Sequence, residues 1–140
     1  MSAEKKIDEA RMSLLVSADS LDFDAVSAAL GLEATATRRK GELMNRLPEI
    51  IAEQDEWACA VDLNHPHGED DQLNALLESM LAHSDAIEAL KQKAQVSLRM
   101  YVKSDHAQIA YSLMPETLRK LAATGLPLQV STLSWGEVHL

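Results

Sequence analysis

Residues 96–103 alternate strictly between apolar and polar side chains, and this alternation constrains the fold more than any other pattern in the chain. The apolar members are Val96, Leu98, Met100 and Val102. Successive side chains of a strand point to opposite faces of a sheet, so the segment predicts a strand with one face in a core and the other in water. Similar patterns at residues 12–16 and 57–63 predict two more such strands.

Segments with a helical repeat separate these strands. The clearest covers residues 73–81, where leucine and methionine recur along one stripe, and it predicts a helix with one buried face. Shorter helices are predicted over residues 23–30, 84–94 and 115–122. Gly31-Leu32 and Gly125-Leu126 predict left-handed C-terminal caps for two of these helices.

Together these segments predict an α+β domain. Its expected form is a two-layer sandwich, with an antiparallel or mixed sheet of about five strands and helices packed mainly on one face. Residues 109–113 are expected to pair with residues 96–103 as a hairpin. Residues 43–56 fit no clear pattern: Pro48 suits the start of a helical turn through Ile51, and an irregular segment is the alternative.

The length of 140 residues is enough for one domain with its own core. We expect a single domain over residues 1–140, with residues 1–8 disordered and residues 136–140 forming a flexible tail. Cys59 is the single cysteine, so an internal disulfide is excluded and a buried, reduced thiol is predicted. The longest apolar run near the N-terminus, residues 14–16, is too short for a secretory or membrane segment. We therefore expect a cytoplasmic protein without membrane contact.

The acidic residues are unevenly spread along the chain. The net charge is −9, and no Lys or Arg occurs from residue 47 to residue 90, where half of the 22 acidic residues lie. Such a field repels nucleic acid and speeds the encounter with a basic protein. The alternative is that these carboxylates only solvate helix faces and loops. We predict a basic protein partner and no nucleic-acid partner.

Several short motifs resemble those of a known family. They are Leu30-Gly31-Leu32, Thr35, Thr37, Arg39-Lys40-Gly41-Glu42 and Trp57, followed by the leucine-rich residues 73–81, the alternating residues 96–103 and the helix that ends near Gly125. In these features the chain resembles the bacterial family known as domain of unknown function four-two-seven-nine. Arg38 and the long spacer over residues 43–56 depart from its pattern. The resemblance implies a small soluble bacterial domain, sometimes suspected of lying beside toxin systems, and it implies no activity.

The basic turn Arg38-Arg39-Lys40-Gly41-Glu42 is the first candidate site. Three cations at a glycine turn suit a carboxylate or phosphate ligand, which backbone amides and a guanidinium group would hold. The structural alternative is that Arg39 or Lys40 pairs with Glu42 or a strand carboxylate, while Gly41 permits the backbone angles of the turn. Arg99 and Tyr101 lie on the polar side of a predicted strand. One alternative is that this side binds a ligand, and the other is that it simply faces water.

Residues 65–71 form the second candidate site, with two histidines and three carboxylates. His65 and His67 are candidates for binding zinc or nickel together with one carboxylate, but the tight four-ligand spacing of a structural site is absent. We therefore predict no metal and no cofactor. Glu69, Asp70 and Asp71 also suit the positive end of the following helix. Together with Trp135, these carboxylates are candidate partner-binding residues, whereas Trp57 is expected to anchor the core.

The sequence contains no recognisable catalytic constellation, since both a Gly-x-Ser-x-Gly motif and a phosphate-binding loop are missing. We expect a non-enzymatic protein-binding module, in concrete form an immunity- or antitoxin-like inhibitor of a basic partner. One alternative is an anion or small-molecule binding domain, or an unrecognised enzyme, centred on Arg39, Lys40 and Glu42. The other is a structural homodimer that uses a sheet edge or the Trp135 tail.

Overall fold

The computed structural model describes residues 9–46, 49–63, 71–104 and 112–134. The elements, in chain order, are β1 (Glu9–Ala18), α1 (Phe23–Leu30), β2 (Ala36–Arg38), β3 (Leu43–Arg46), β4 (Glu49–Ile51), β5 (Asp55–Asp62), α2 (Asp71–Ala82), α3 (Ser84–Lys91), β6 (Gln95–Ser104), α4 (Pro115–Ala123) and β7 (Leu128–Ser134). The segments expected at residues 1–8 and 136–140 lie outside the described residues.

Five strands form one mixed sheet in the order β2-β5-β1-β6-β7. β1 lies in the middle and pairs antiparallel with β5 and β6, and β2 pairs antiparallel with β5. β7 runs parallel to β6, which requires a crossover connection, and α4 lies within it. The fold is therefore the predicted α+β arrangement, with a mixed sheet.

A single buried cluster joins the sheet to the helices. In the central register Leu14 of β1 lies between Cys59 of β5 and Leu98 of β6, and these alternate positions of each strand are buried. Each of the four described helices contributes buried side chains to the same cluster. The alternation in the sequence arises because the described helices pack on this face of the sheet, whereas the described side chains on the other face are half-buried or exposed.

The helix ends follow the usual capping chemistry. Asp22 precedes α1 and accepts a hydrogen bond from the Ala25 N–H (3.1 Å), as expected of an N-cap. Gly31 and Gly125 adopt the left-handed conformation, with φ of 64° and 70°. Pro115 begins α4. The two predicted left-handed glycine caps are therefore confirmed.

One sequence expectation was wrong, and another concerns residues that lie mostly outside the described ranges. Residues 49–51 form strand β4, so both the helical turn and the irregular segment were wrong; the β-branched Ile50 and Ile51 suit a strand. The expected hairpin partner at residues 109–113 lies mostly outside the described residues. β6 pairs with β1 on one edge and with β7 on the other.

Candidate functional site

One buried carboxylate holds the basic turn at residues 38–42. Asp55 begins β5, is 5% exposed and shares the inward face of that strand with Trp57. Its Oδ1 accepts a hydrogen bond from the Lys40 N–H (2.8 Å), and its Oδ2 accepts one from the Leu21 N–H (2.9 Å). Asp55 therefore joins the turn to the connection between β1 and α1.

Arg39 reinforces this junction. Its Nη1 donates to Asp55 Oδ2 (2.9 Å) and to the carbonyl oxygen of Leu21 (2.7 Å). Its guanidinium group lies 3.9 Å from the centre of the Phe23 ring, and its backbone N–H donates to Glu42 Oε1 (2.9 Å). Charge-assisted hydrogen bonds and cation–π contacts are strong among polar interactions, so these contacts fix the conformation of the turn.

The other two cations of the turn also contact carboxylates. Arg38 Nη1 lies 3.1 Å from Glu56 Oε1, and Lys40 Nζ lies 2.6 Å from Asp19 Oδ1. The three cations thus lie among four carboxylates, those of Asp19, Glu42, Asp55 and Glu56, and the cluster has a net charge of −1. A negative cluster does not attract an anion. Anion binding at this turn stays a prediction, and the contacts favour the structural alternative.

Sequence reasoning counted Asp55 as one more member of the acidic block and missed its role. The signal was present, because Asp55 lies two residues before Trp57, and extending the predicted strand by two residues would place Asp55 on its inward face. A carboxylate on a buried face is stable only when it is paired and hydrogen-bonded. The structural alternative for the basic turn already included a strand carboxylate, and this position could have identified it as Asp55.

Acidification tests the role of Asp55. The N–H groups of Lys40 and Leu21, and then the Arg39 guanidinium, hold the pKa of Asp55 below its ordinary value of 3.8. The native carboxylate binds a proton less readily than the unfolded one, so its contribution to stability is present above pH 3.8 and is lost as the pH falls through the lowered pKa.

We expect urea titrations from about pH 7 to about pH 2 to show a steeper loss of stability below about pH 4 for the wild type than for Asp55→Asn. The variant cannot change its charge at this position, so this part of the pH dependence disappears. Equal slopes for the two proteins would contradict the role that we assign to Asp55.

Arg99 and Tyr101 lie on the open face of the sheet, away from the turn. Both belong to β6, and Arg99 Nη2 donates to Gln129 Oε1 on β7 (3.1 Å). β5 and β1 lie between β6 and β2, which separates β6 from β2 by roughly 14 Å at the usual strand spacing. The structure does not bring Arg99 and Tyr101 together with residues 38–42.

The acidic block is dispersed over several elements and partly neutralised. Glu56 and Asp55 contact cations of the basic turn, and Glu78 of α2 lies 3.0 Å from Lys120 of α4. The exposed residues of the acidic block that form no ion pair with another described residue are Glu49, Glu53, Asp71 and Asp85. Within the described residues, the block therefore does not form one uncompensated surface.

The remaining predicted site residues lie outside the described residues. They are His65, His67, Glu69, Asp70 and Trp135. Within the described ranges, no group of three or more His, Cys, Asp or Glu residues is placed to hold a metal ion. No helix in this part of the chain combines the length and the apolar character needed to cross a membrane.

A two-stranded hairpin extends from the β2–β5 side of the sheet. β3 and β4 pair antiparallel, with a bulge between Leu43 and Asn45. The Gly41 N–H donates to the Ala52 carbonyl oxygen (2.9 Å) and continues the ladder toward β2 and β5. We call residues 41–46 and 49–52 the hairpin arm. In the described part of the chain, its two strands pair with each other and with no other strand.

The hairpin arm exposes a group of large apolar side chains. They are Leu43 (50% exposed), Met44 (43%), Ile50 (44%) and Ile51 (49%). A two-stranded hairpin has no core of its own and is marginally stable in water. Soluble proteins rarely expose apolar side chains together unless the surface contacts another molecule. The arm is therefore the strongest candidate for an interaction surface among the described residues.

Carboxylates lie next to this apolar group. A shallow depression of about 260 Å³ is lined by Met44, Ile50, Ile51, Glu53, Gln54 and Glu56. Glu53 is exposed, whereas Glu56 is shared with Arg38. An apolar wall beside a carboxylate suits a Lys or Arg side chain, whose aliphatic stem packs on the wall while its charged end pairs with the acid.

A second groove, also of about 260 Å³, lies between α1 and α3. Its lining includes the small side chains of Ala25, Ala29, Ala86 and Ala89, with Asp22 and Lys93 also present. Asp22 already caps α1. The other polar side chains in the lining are Ser20 and Lys93, and these two alone do not indicate a particular ligand.

The mixed sheet, its helix layer and the junction at Asp55 define a small two-layer α+β domain. The profile of the family described as "Domain of unknown function (DUF4279)" matches residues 8–135, so the chain belongs to that family, as its sequence motifs predicted. No curated protein and no solved structure shows a significant match. The family description names no activity, and function must therefore be inferred from the surface of this chain.

Proposed function

We propose that this protein is a non-enzymatic binding module that uses the hairpin arm to contact a basic protein. The supporting observation is the group of exposed apolar side chains on the arm, with the exposed carboxylates of Glu42, Glu49 and Glu53 beside them. Burial of the apolar group would supply affinity. The carboxylates would orient the partner and speed its association.

A basic partner suits this arm better than a neutral or acidic one. The chain carries a net charge of −9, and the depression on the arm combines aliphatic contact with the Glu53 carboxylate. Both features favour exposed Lys or Arg side chains on the partner. An immunity- or antitoxin-like inhibitor of a basic toxin is the form of this function that we favour. Anion binding at the basic turn comes second, because the cations there already contact carboxylates.

The Glu53→Lys variant should weaken binding of the partner about tenfold or more, because it places a like charge opposite the cations of the partner. The partner is first isolated from the native host with the wild-type chain, and its affinity and association rate are then measured with purified proteins at several salt concentrations. The matched control is Asp85→Lys on α3, which makes the same charge change at another exposed carboxylate.

We expect the Asp85→Lys variant to bind nearly as the wild type does. Equal losses for the two variants would show that the overall negative charge steers the partner and that the arm is not the contact surface. A partner that binds the Glu53→Lys variant with wild-type affinity and salt dependence would overturn the proposed contact. Replacing Ile50 with serine tests the apolar contribution to binding separately from the charge. Ile50 is 44% exposed, so this change removes apolar contact area and leaves the core intact.

A further inference from the structure

The two edges of the sheet differ in their protection against pairing with another chain. β2 has three residues and ends at Arg38, which contacts Glu56. β7 has seven residues, none of them charged, in a chain with a net charge of −9. Among the described strands, β6 alone pairs with β7. Proteins usually protect a long edge strand with charges, proline or a bulge, because its free backbone groups recruit another strand.

The backbone of β7 has a defined set of outward-facing groups. Leu98 pairs with Leu128 in the parallel register, and the Leu98 N–H donates to the Pro127 carbonyl oxygen (2.9 Å). The N–H and C=O of one strand residue point to the same side, and the side alternates along the strand. The backbone groups that face β6 are therefore those of residues 127, 129, 131 and 133. The backbone groups of Leu128, Val130 and Thr132 point away from the sheet.

Apolar side chains at this edge are also uncovered. Leu128 and Val130 lie on the helix-covered face of the sheet, beside Leu98 and Met100. They are nevertheless 39% and 57% exposed, whereas Leu98 is 0% and Met100 5% exposed. Leu133, on the other face, is 48% exposed. In the described part of the chain, the helix layer thus stops short of β7 and leaves apolar side chains beside a backbone edge that no other described strand covers.

We propose that β7 pairs antiparallel with β7 of a second copy of this chain, about a twofold axis through Ser131. Val130 then faces Thr132 of the second copy, and Leu128 faces Ser134 of the second copy. In this register every outward N–H and C=O from Leu128 to Ser134 has a partner. The two five-stranded sheets become one continuous sheet.

A second copy fits this edge better than the basic partner of the proposed function. Two chains of charge −9 repel each other over most of their surfaces, and β7 is a segment where they can meet without placing like charges together. A basic protein gains no charge pairing from an uncharged strand. A twofold axis perpendicular to the sheet also keeps both helix layers on one side, so the exposed Leu128 and Val130 side chains of the two copies lie between those layers.

The dimer would leave both hairpin arms free. The arm extends from the β2–β5 side of the sheet, and β7 forms the opposite edge. The two arms would therefore lie at the far ends of the joined sheet. A partner with two copies of its own binding surface could then engage both arms at once, which raises its effective affinity without new contacts.

The Thr132→Pro variant tests the pairing directly. Its N–H points outward, so proline removes a donor at the proposed interface without removing a hydrogen bond to β6. Thr132→Val keeps the N–H and is the matched control. Sedimentation equilibrium from about 1 to about 100 µM should show dimers for the wild type and the Thr132→Val variant, and a dissociation constant at least about 100-fold higher for Thr132→Pro. Circular dichroism establishes that each variant is folded.

Paired charges at Ser131 test the position of the axis. Ser131 would face Ser131 of the second copy, so Ser131→Glu and Ser131→Lys should each weaken the dimer by placing like charges opposite each other. Mixing the two variants should restore dimers. A wild type that stays monomeric at about 100 µM, a Thr132→Pro variant that dimerises normally, or a mixture that does not recover would overturn the proposal. Binding of a basic partner to the arm is measured separately, so the two proposals can fail independently.

Discussion

Replacing Trp57 with alanine is expected to lower the free energy of unfolding by about 3–5 kcal/mol. Trp57 is 0% exposed and pairs with Val16 of the central strand β1. Its Nε1 donates to Ser27 Oγ of α1 (3.0 Å). The alanine variant would leave a large cavity between β5 and α1, because the surrounding structure relaxes only partly. Urea unfolding followed by far-ultraviolet circular dichroism measures the difference.

Two milder variants separate the packing of Trp57 from its hydrogen bond. Trp57→Phe keeps much of the ring but removes the N–H donor, whereas Ser27→Ala keeps the ring and removes the acceptor. A typical hydrogen bond contributes about 1 kcal/mol, so Ser27→Ala should have the smallest effect and Trp57→Phe an intermediate one. If Trp57→Ala cost no more than Ser27→Ala, the ring would contribute little to the core and the interpretation of Trp57 as an anchor would be wrong.

Sequence patterns predicted the fold wherever one face of an element is buried. The alternation at residues 96–103 indicated β6, and the stripe at residues 73–81 indicated α2, whose Leu73, Leu76, Leu77 and Met80 are buried. In both cases the pattern records a real boundary between core and water. The layered α+β arrangement follows from these elements and is confirmed.

The same reasoning could not predict the hairpin arm. The side chains of its strands whose burial is described are all exposed, with Leu43 and Ile51 each about half exposed, so no alternation among them distinguishes an inside from an outside. The pairing also depends on partners outside the segment, since β2 pairs with β5 and the ladder continues from that pair into the arm. The part of the chain that best fits a binding surface is therefore the part with the weakest sequence signal.

Local sequence patterns also could not predict which strand pairs with β6 on the side away from β1. Strands that follow one another in the sequence usually pair, and this tendency favoured residues 109–113. The structure instead pairs β6 with β7 in parallel, across the connection that contains α4. Nothing within residues 96–103 distinguishes a parallel from an antiparallel neighbour, because both leave the same face buried.

The motifs that reveal the family are mainly structural in this chain. Trp57 packs beneath α1, residues 39–42 form the junction with Asp55, and Gly31 ends α1. Such residues identify the fold because the fold requires them. The proposed contact surface lies within residues 41–53, most of which belong to the spacer between the motifs that carried the resemblance. Family membership therefore does not indicate the partner.

Replacing Gly31 with alanine is expected to cost about 2–4 kcal/mol, from two separate causes. Gly31 has a φ of +64°, where a residue with a Cβ atom is disfavoured by roughly 1–2 kcal/mol. A Cβ at this position would also lie 2.9 Å from His83 Cε1 and 3.0 Å from His83 Nε2. The His83 ring is held by a contact of 2.9 Å between its Nδ1 and the Ser79 carbonyl oxygen, so it does not move aside freely.

Gly125 supplies a matched control, because it also follows a helix, its φ is +70°, and the nearest atom to the position of a Cβ atom beyond its chain neighbours is Lys91 Nζ at 3.9 Å, an ordinary van der Waals distance. Gly125→Ala should therefore show the backbone penalty alone. The Gly31→Ala, His83→Ala double variant should recover about 1 kcal/mol relative to the sum of its single variants, because the smaller side chain at residue 83 removes the clash. Thermal and urea unfolding of the wild type and these variants give this coupling energy. If the two losses simply added, the His83 ring would not limit residue 31, and the left-handed backbone alone would explain why glycine ends α1.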